Sequence, residues 1–330
     1  MICENCGLRN PDGFKFCPRC GAVLDKPVKI DRSKIRGPGE AIAKAIKARG
    51  STDEIVTTSW IWVMIIVYLA SYVASLAIGL SIVHDVLQQD PSTFSREQVF
   101  DEMRTDLWAL ALLSGMFYSI ASILAYLLVR RLNRHFTRDT ELRAAALSLI
   151  TSAASSPELS QRVENELAAM NRTDNLIAST EKRRRPILWS LAVAAPLMVS
   201  ALQWALIFTS DSYSEYQRTS ALFAVASLLS YLPLFDLSYF LGKSIYDHHS
   251  RWMDFAGQTT AAMNKLGLKM TEPLLDKSLL RRPYGLYVLV TIVTLGFFMF
   301  YWWHTLIQDP NYHFKAQWYF EDCLIKSIRD

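Results

Sequence analysis

Four of the five cysteines form two CxxC pairs within the first 20 residues: Cys3, Cys6, Cys17 and Cys20. A glycine follows each pair, and glycine tolerates the positive φ with which such a metal-binding turn ends. Four thiolates on two turns complete a tetrahedral site for one Zn²⁺ ion, with no coordination position left open. The spacing therefore predicts a structural zinc site and not a catalytic one.

Residues 1–25 also resemble the short zinc-ribbon module found at the N-termini of many archaeal and bacterial membrane proteins, including Asn10-Pro11 and Phe16-Cys17-Pro18. The resemblance implies a ribbon and no particular activity. Basic and acidic residues balance within this segment, so it offers no electrostatic footprint for phosphate, and we expect no nucleic-acid binding. The expected contact is a cytoplasmic protein partner.

The rest of the chain is dominated by apolar runs. Of its 330 residues 51% are hydrophobic, and a run of about 20 apolar residues matches the hydrocarbon thickness of a bilayer. Five such runs cover residues 60–83, 107–129, 187–208, 219–241 and 284–303. The predicted fold is an all-α, polytopic transmembrane bundle of about five spans, with helical cytoplasmic extensions and the N-terminal zinc ribbon.

The charge distribution orients these spans. Lysine and arginine cluster before the first run, between the second and third, and between the fourth and fifth, whereas residues 84–106 are mainly acidic. The positive-inside rule predicts a multi-pass protein of the cell membrane with a cytoplasmic N-terminus and two long cytoplasmic loops. Two interpretations of the basic residues 26–49 stay open: a segment lying on anionic lipid headgroups, or a flexible tether.

Two helix starts can be proposed from capping patterns. The sequence Ser51-Thr52-Asp53-Glu54 has the form of a capping box that would begin the first membrane helix. In the first long loop, Ser156-Pro157-Glu158 has the form of an N-cap followed by an N1 proline and an acidic first turn.

These features divide the chain into six predicted segments. They are the zinc ribbon (1–25), a basic linker with a short amphipathic helix (26–59), a first span pair with its exit helix (60–142), a cytoplasmic helical stalk (143–186), a second span pair with a cytoplasmic loop (187–283), and a fifth membrane segment with an aromatic tail (284–330).

A repeated motif follows the second and fourth runs. NRHFTRDTEL and YDHHSRWMDF share the pattern His-x-x-Arg-x-x-acid, carried by His135, Arg138, Glu141 and by His248, Arg251, Asp254. A partial third copy, NYHF, occupies residues 311–314, so the chain has the form of two span-pair units and a truncated third.

Two interpretations of the motif stay open. One is a cytoplasmic-face site in which arginine holds a lipid phosphate; the other is an i,i+3 salt bridge beside an interfacial histidine. Histidines at this spacing cannot converge from one helix, so the motif by itself implies no zinc.

Residues 281–322 resemble an uncharacterised family of prokaryotic integral membrane proteins with a Thr-Leu-Gly, aromatic, Tyr-Trp pattern, here at 294–296 and 301–302. The resemblance implies a membrane domain and supplies no activity. The fifth run could cross the membrane once, leaving the C-terminus outside, or bend at Gly296 and return; we expect the full span. Cys323 receives no role.

Asp236 is the remaining candidate, an acidic residue near the cytoplasmic end of the fourth run. It is either an intramembrane functional group or an interfacial partner of Arg130 or Lys243. The chain contains no recognisable catalytic motif. The favoured function is therefore a non-catalytic zinc-ribbon scaffold or regulator that recruits a cytoplasmic partner. The alternatives are a transporter or channel built on the duplicated unit and a membrane enzyme acting on lipid.

Overall fold

The computed structural model describes residues 5–10, 16–21, 30–88, 96–209, 213–271, 279 and 281–329. Within these residues the chain is helical, and its only extended pairing is a single bridge position at each of residues 9 and 16. The helices are α1 (Arg32–Thr52), α2 (Ser59–Gln88), α3 (Arg96–Ala153), α4 (Pro157–Thr180), α5 (Pro186–Val193), α6 (Ala195–Thr209), α7 (Tyr213–Ser230), α8 (Leu232–Lys265), α9 (Tyr284–Val293) and α10 (Phe297–Arg329). The predicted helical architecture is confirmed.

In the part of the chain that the structure describes, three helical stretches are long and apolar enough to cross a membrane: Ser59–His84, Trp108–Ala153 and Ser220–Lys265. The pair α5–α6, bent by 42°, forms a fourth if it is counted as one span. Large apolar side chains face outward here, with Trp62 66% and Leu222 71% exposed, as expected for a surface in contact with lipid.

The fifth apolar run is broken, so the expected fifth full span is not confirmed. α9 has ten residues and is about 15 Å long, half of the hydrocarbon thickness. A turn follows in which Leu295 and Gly296 have φ of 50° and 93°. Arg282, before α9, is bonded to Asp309 in α10 at 2.7 Å, so the chain returns to the level at which it entered.

The apolar helices form three hairpins. The first hairpin is α2–α3, the second is α5–α8, and the third is the short pair α9–α10. Their descending arms run in the same direction, since Tyr118 of α3 bonds Tyr231 beside α8 at 2.6 Å, while further along both arms His135 lies 3.2 Å from His248. On α10, His313 reaches the same level, 3.1 Å from His135.

Buried side chains form two apolar cores separated by a polar layer. One core lies between the apolar helices and includes Leu124 and Trp302, and the outer core, built by α1, α4 and the distal ends of α3, α8 and α10, includes Leu149 and Val163. Between the two cores lies a layer of polar side chains that are each at most 2% exposed, among them Asp53, His135, Arg138, Asp139, Arg143, His248, His249, His313, Gln317 and Glu321.

The two capping predictions had different outcomes. Ser156 accepts the backbone N–H of Leu159 at 3.3 Å and caps α4, which confirms that helix start. The capping box at residues 51–54 is wrong, because α1 continues to Thr52 and Asp53 ends it, and α2 begins only at Ser59. Residues 53–58 form a short connection between the two helices.

Candidate metal centre

The zinc-ribbon cysteines that the structure describes lie together. The sulfurs of Cys6, Cys17 and Cys20 are within 4.8 Å of one another, and those of Cys6 and Cys17 are 3.5 Å apart. Tetrahedral zinc with Zn–S bonds of about 2.3 Å separates its sulfurs by about 3.8 Å, so the arrangement fits the ion. Cys3, the fourth predicted ligand, lies outside the described residues.

The turns of the ribbon favour thiolates. Gly7 and Gly21 have φ of 66° and 67°, the left-handed conformation predicted from the sequence. Burial raises the pKa of the Cys17 thiol, but hydrogen bonds from the backbone N–H groups of Arg19 and Cys20 outweigh it and hold that pKa at about 6. A thiolate is the form that binds zinc.

A second cluster lies in the polar layer, where three helices each present one histidine to a common point. The Nε2 atom of His135 on α3 is 3.2 Å from Nε2 of His248 on α8 and 3.1 Å from Nε2 of His313 on α10. All three side chains are at most 1% exposed. These three ligand atoms lie within 4.8 Å of one another and form a group able to hold a metal ion.

Each ring is fixed through its other nitrogen. Nδ1 of His135 lies 3.0 Å from Oδ1 of Asp53, and Nδ1 of His248 lies 2.6 Å from Oε1 of Glu181. Nδ1 of His313 lies 2.9 Å from Nδ1 of His249. Carboxylate partners on the outer nitrogens are the usual surroundings of metal-binding histidines, because they set the tautomer and the ring orientation.

Asp53 is fully satisfied in this layer. Besides His135, it accepts hydrogen bonds from Nε and a terminal nitrogen of Arg138 at 3.2 and 2.6 Å and from the indole of Trp318 at 2.8 Å. Burial acts to raise the pKa of Asp53, but the hydrogen bond from His135 and the charge of Arg138 outweigh it and hold the pKa at about 2. This carboxylate is therefore ionised.

Glu181 has a different balance. Burial raises its pKa to about 7, and the nearby charge of Arg143 only partly opposes the shift. Its ionised form accepts the Nδ1–H of His248.

Asp139 lies beside the histidines, one helical turn after His135. Its Oδ1 accepts a hydrogen bond from Gln317 at 2.8 Å, and its Oδ2 contacts Arg143 and lies 4.0 Å from Nε2 of His248. Asp139 is completely buried. It is the carboxylate best placed to approach an ion held by the histidines.

The predicted His-x-x-Arg-x-x-acid motif divides into parts with different roles. Arg138 does not pair with Glu141; it pairs with Asp53 and, at 2.5 Å, with Glu321. In the second copy, Arg251 donates to the hydroxyl of Thr180. Glu141 and Asp254 are exposed. The predicted salt bridges within one helix are therefore wrong, and the histidines face inward.

The asparagine of the repeated NxHF sequence has one role in both copies. Asn133 donates to the carbonyl oxygen of Arg184 at 2.6 Å and accepts its N–H at 3.3 Å. Asn311 does the same with Val56, at 2.8 and 3.3 Å. Each asparagine thus holds the segment that leads into another hairpin. Arg184 lies three residues after Glu181, which bonds His248, and Val56 lies three residues after Asp53, which bonds His135.

Sequence reasoning identified two of the three histidines. His313 carried a signal, because NYHF was recognised as a third copy, but it was not assigned to the site. Asp53, Glu181 and His249 carried none, since their partners are 64 to 82 residues away along the chain. The argument against zinc considered each helix alone, whereas the ligands come from three helices.

A cavity of about 560 Å³ lies beside this centre, with His248 and Glu181 in its wall. Asp236 also lines it, 3.6 Å from Arg184, so its partner is neither Arg130 nor Lys243. The cavity does not reach Gln203 near the middle of the third apolar run.

Comparison with known proteins identifies one part of the chain. Residues 2–24 match the family model of the zinc-ribbon domain. The N-terminus is a zinc-ribbon domain. No curated protein and no solved structure matches the chain, so the resemblance of residues 281–322 to a membrane family stays a prediction.

Proposed function

We propose that this protein is a multi-pass membrane scaffold or regulator whose cytoplasmic helices are assembled on a divalent metal ion, bound by His135, His248 and His313. The observation that carries the proposal is the meeting of three buried Nε2 atoms from three hairpins at 3.1 and 3.2 Å.

The tautomers of the histidines support a cation at that point. An ionised carboxylate can only accept a hydrogen bond, so Asp53 and the ionised form of Glu181 select the Nδ1–H tautomer of His135 and His248 and leave their Nε2 lone pairs facing one another. Two lone pairs in contact repel, and burial disfavours a charged imidazolium. A metal ion removes the repulsion.

The distances and donor types support a borderline transition metal such as zinc. Zn–N bonds of about 2.0–2.1 Å in tetrahedral geometry separate two nitrogens by about 3.3 Å, close to the observed spacing. Together with the ribbon, the chain would hold two ions, one more than the sequence implied. Asp139 could complete the coordination by a small side-chain movement.

The connections of the centre support a scaffold role. Besides α3, α8 and α10, it is tied through Asp53 to the end of α1 and through Glu181 to the segment after α4. An ion at one point would thus fix the packing of every helix in the outer core. α1 follows the zinc ribbon, so the ion would also fix the platform from which the ribbon meets a cytoplasmic partner.

The first experiment is metal analysis of the purified full-length chain. We expect two zinc ions per chain, one ion in Cys17→Ser and one in His313→Gln, with two retained in the control His304→Gln, on the same helix but outside the cluster. In the cobalt-loaded protein, Cys17→Ser should remove the thiolate charge-transfer bands and leave the weaker spectrum of nitrogen-bound cobalt. A chain that binds only the ribbon ion would refute the proposal.

Recruitment is tested separately. Affinity capture from membranes should recover the same partner with the wild type and His304→Gln, and lose it with a chain lacking residues 1–25. His313→Gln should weaken it. Equal recovery with all four proteins would remove the scaffold role.

A second candidate is a metal-dependent enzyme acting on a membrane amphiphile. It is favoured by the cavity that reaches His248 and Glu181, and it requires water, not Asp139, in the fourth coordination position. If Asp139→Asn keeps the metal and raises solvent access to bound cobalt, Asp139 is a ligand in the wild type. The fourth coordination position is then not open to water, and the enzyme hypothesis is wrong.

A further inference from the structure

The cavity beside the histidine centre has features of its own that the metal does not explain. It opens where α8 passes from apolar to charged sequence, and its walls are the end of α4, the segment 181–184 and one face of α8. Aromatic side chains line one part, among them Tyr239 and Phe240, and charged groups line the rest.

The charged groups leave three cations without an acidic partner. Lys182, Lys243 and Arg251 line the cavity, and none of them lies within 4.0 Å of a carboxylate in the part of the chain that the structure describes. Two of the lining acids are engaged elsewhere, Glu181 with His248 and Asp236 with Arg184.

Arg184 is already held in place. Its guanidinium lies over the ring of Trp189 at 4.4 Å and over the ring of Phe240 at 4.3 Å. The wall thus carries four cations against three acids, counting Asp247. A fixed guanidinium and three cations without a carboxylate partner around one space are suited to a phosphate oxyanion.

We propose that this cavity binds the phosphate of an anionic phospholipid headgroup, with Lys182, Lys243 and Arg251 neutralising the phosphate and Tyr239 and Phe240 contacting the glycerol and the start of the acyl chains. A lipid suits the site better than a soluble phosphate, because the aromatic part adjoins the apolar run of α8 and the charged part lies just beyond it. Basic pockets at the ends of membrane helices bind headgroups in this way.

The inference does not depend on the metal centre, although the two sites share the Glu181–His248 hydrogen bond. Metal content and lipid binding are therefore measured on the same samples, so that failure of one is distinguished from failure of the other.

The test uses the full-length chain in nanodiscs of phosphatidylcholine with a minor fraction of spin-labelled phosphatidylglycerol. We expect a motionally restricted lipid population with the wild type. In the variant Lys182→Gln, Lys243→Gln, Arg251→Gln, affinity should fall about 100-fold, since each cation near the surface contributes about fivefold. A charge-matched control, Arg172→Gln, Lys315→Gln, Lys326→Gln, changes three exposed cations outside the cavity and should bind as the wild type does.

A second variant keeps the charges and fills the space. Ser244→Phe places a ring into the cavity wall and should also release the lipid. Inorganic phosphate should compete only weakly; competition as strong as that of phosphatidylglycerol itself would show a soluble-phosphate site and overturn the lipid assignment. Equal losses in the cavity and control variants, or unchanged binding in Ser244→Phe, would also overturn it.

Discussion

Replacement of Asp53 by asparagine is the most direct perturbation of the histidine centre that leaves the three proposed ligands in place. The carboxylate is completely buried and accepts hydrogen bonds from His135, Arg138 and Trp318. Asparagine has nearly the same shape but only one acceptor oxygen, and its NH₂ group would face a donor. If the amide donates to Nδ1 of His135, the ring takes the Nε2–H tautomer, and that hydrogen points at the proposed ion.

Two magnitudes follow from the structure. The pKa of Asp53 is lowered from 3.8 to about 2, which corresponds to about 2.5 kcal/mol in favour of the ionised form at neutral pH. Removing the charge of Asp53 also breaks its ion pair with Arg138, which then keeps the ion pair with Glu321. Breaking a buried pair lowers the free energy of unfolding by about 3–5 kcal/mol. Loss of an outer-shell carboxylate lowers metal affinity by about 10–100-fold.

The assay is competition with a chromophoric chelator, together with thermal unfolding in detergent. We expect Asp53→Asn to weaken one of two zinc ions by about 10–100-fold, to leave the ribbon ion unchanged, and to lower the free energy of unfolding by about 3 kcal/mol. Ser51→Asn, an exposed position whose side chain does not contact Asp53, is the control for a new amide. An Asp53→Asn protein that is destabilised but binds both ions with wild-type affinity would refute the role of Asp53 in orienting His135.

Three further predictions test the surroundings of the centre. Burial raises the pKa of Glu321 to about 7 although Arg138 opposes it. The stabilising contribution of Glu321 is therefore complete below about pH 4.5 and is lost as pH rises through 7. Glu321→Gln should remove this change of about 3 kcal/mol from the pH dependence of the free energy of unfolding. A Cβ on Gly242 would overlap the ring of Tyr284, whereas one on Gly257 meets open space. Gly242→Ala should lower the free energy of unfolding by about 1–3 kcal/mol, and Gly257→Ala should leave it unchanged or raise it. Equal melting temperatures of the two variants would contradict the close packing of α9 on α8. Cysteines introduced at residues 84–106 should react with impermeant reagents from outside the cell, whereas those at 155–175 and, because the third hairpin returns, near 326 should not; labelling near 326 from outside would restore the full fifth span.

Local patterns in the sequence were sufficient for the features that depend on neighbouring residues. The glycine turns of the ribbon and the Ser156 cap each depend on residues no more than four positions away, and both are observed. The fifth apolar run misled because composition does not report a break: Thr294–Gly296 interrupts a run that is apolar on both sides.

The polar layer could not be derived because its contacts are long-range. Arg138 lies three residues from Glu141 yet pairs with Asp53, 85 positions away, since burial between two apolar cores favours the partner that is also buried. The same residues that resemble a capping box, 51–54, instead supply Asp53 to His135 and Glu54 to Arg130 at 2.9 Å. Only the recurrence of NxHF indicated that the helix exits belong together.

The delivery of one histidine by each hairpin has a consequence for how such a centre can be assembled. A chain with a single hairpin would supply one nitrogen ligand and could build the same site only as a trimer, at a rate and yield set by its concentration in the membrane. With three hairpins on one chain, the site forms by folding within a single molecule and not by the meeting of three molecules, so the ratio of histidines to sites is fixed. Once the stoichiometry is fixed, the three hairpins need not be alike, and the third is a short pair that still carries a histidine at its base.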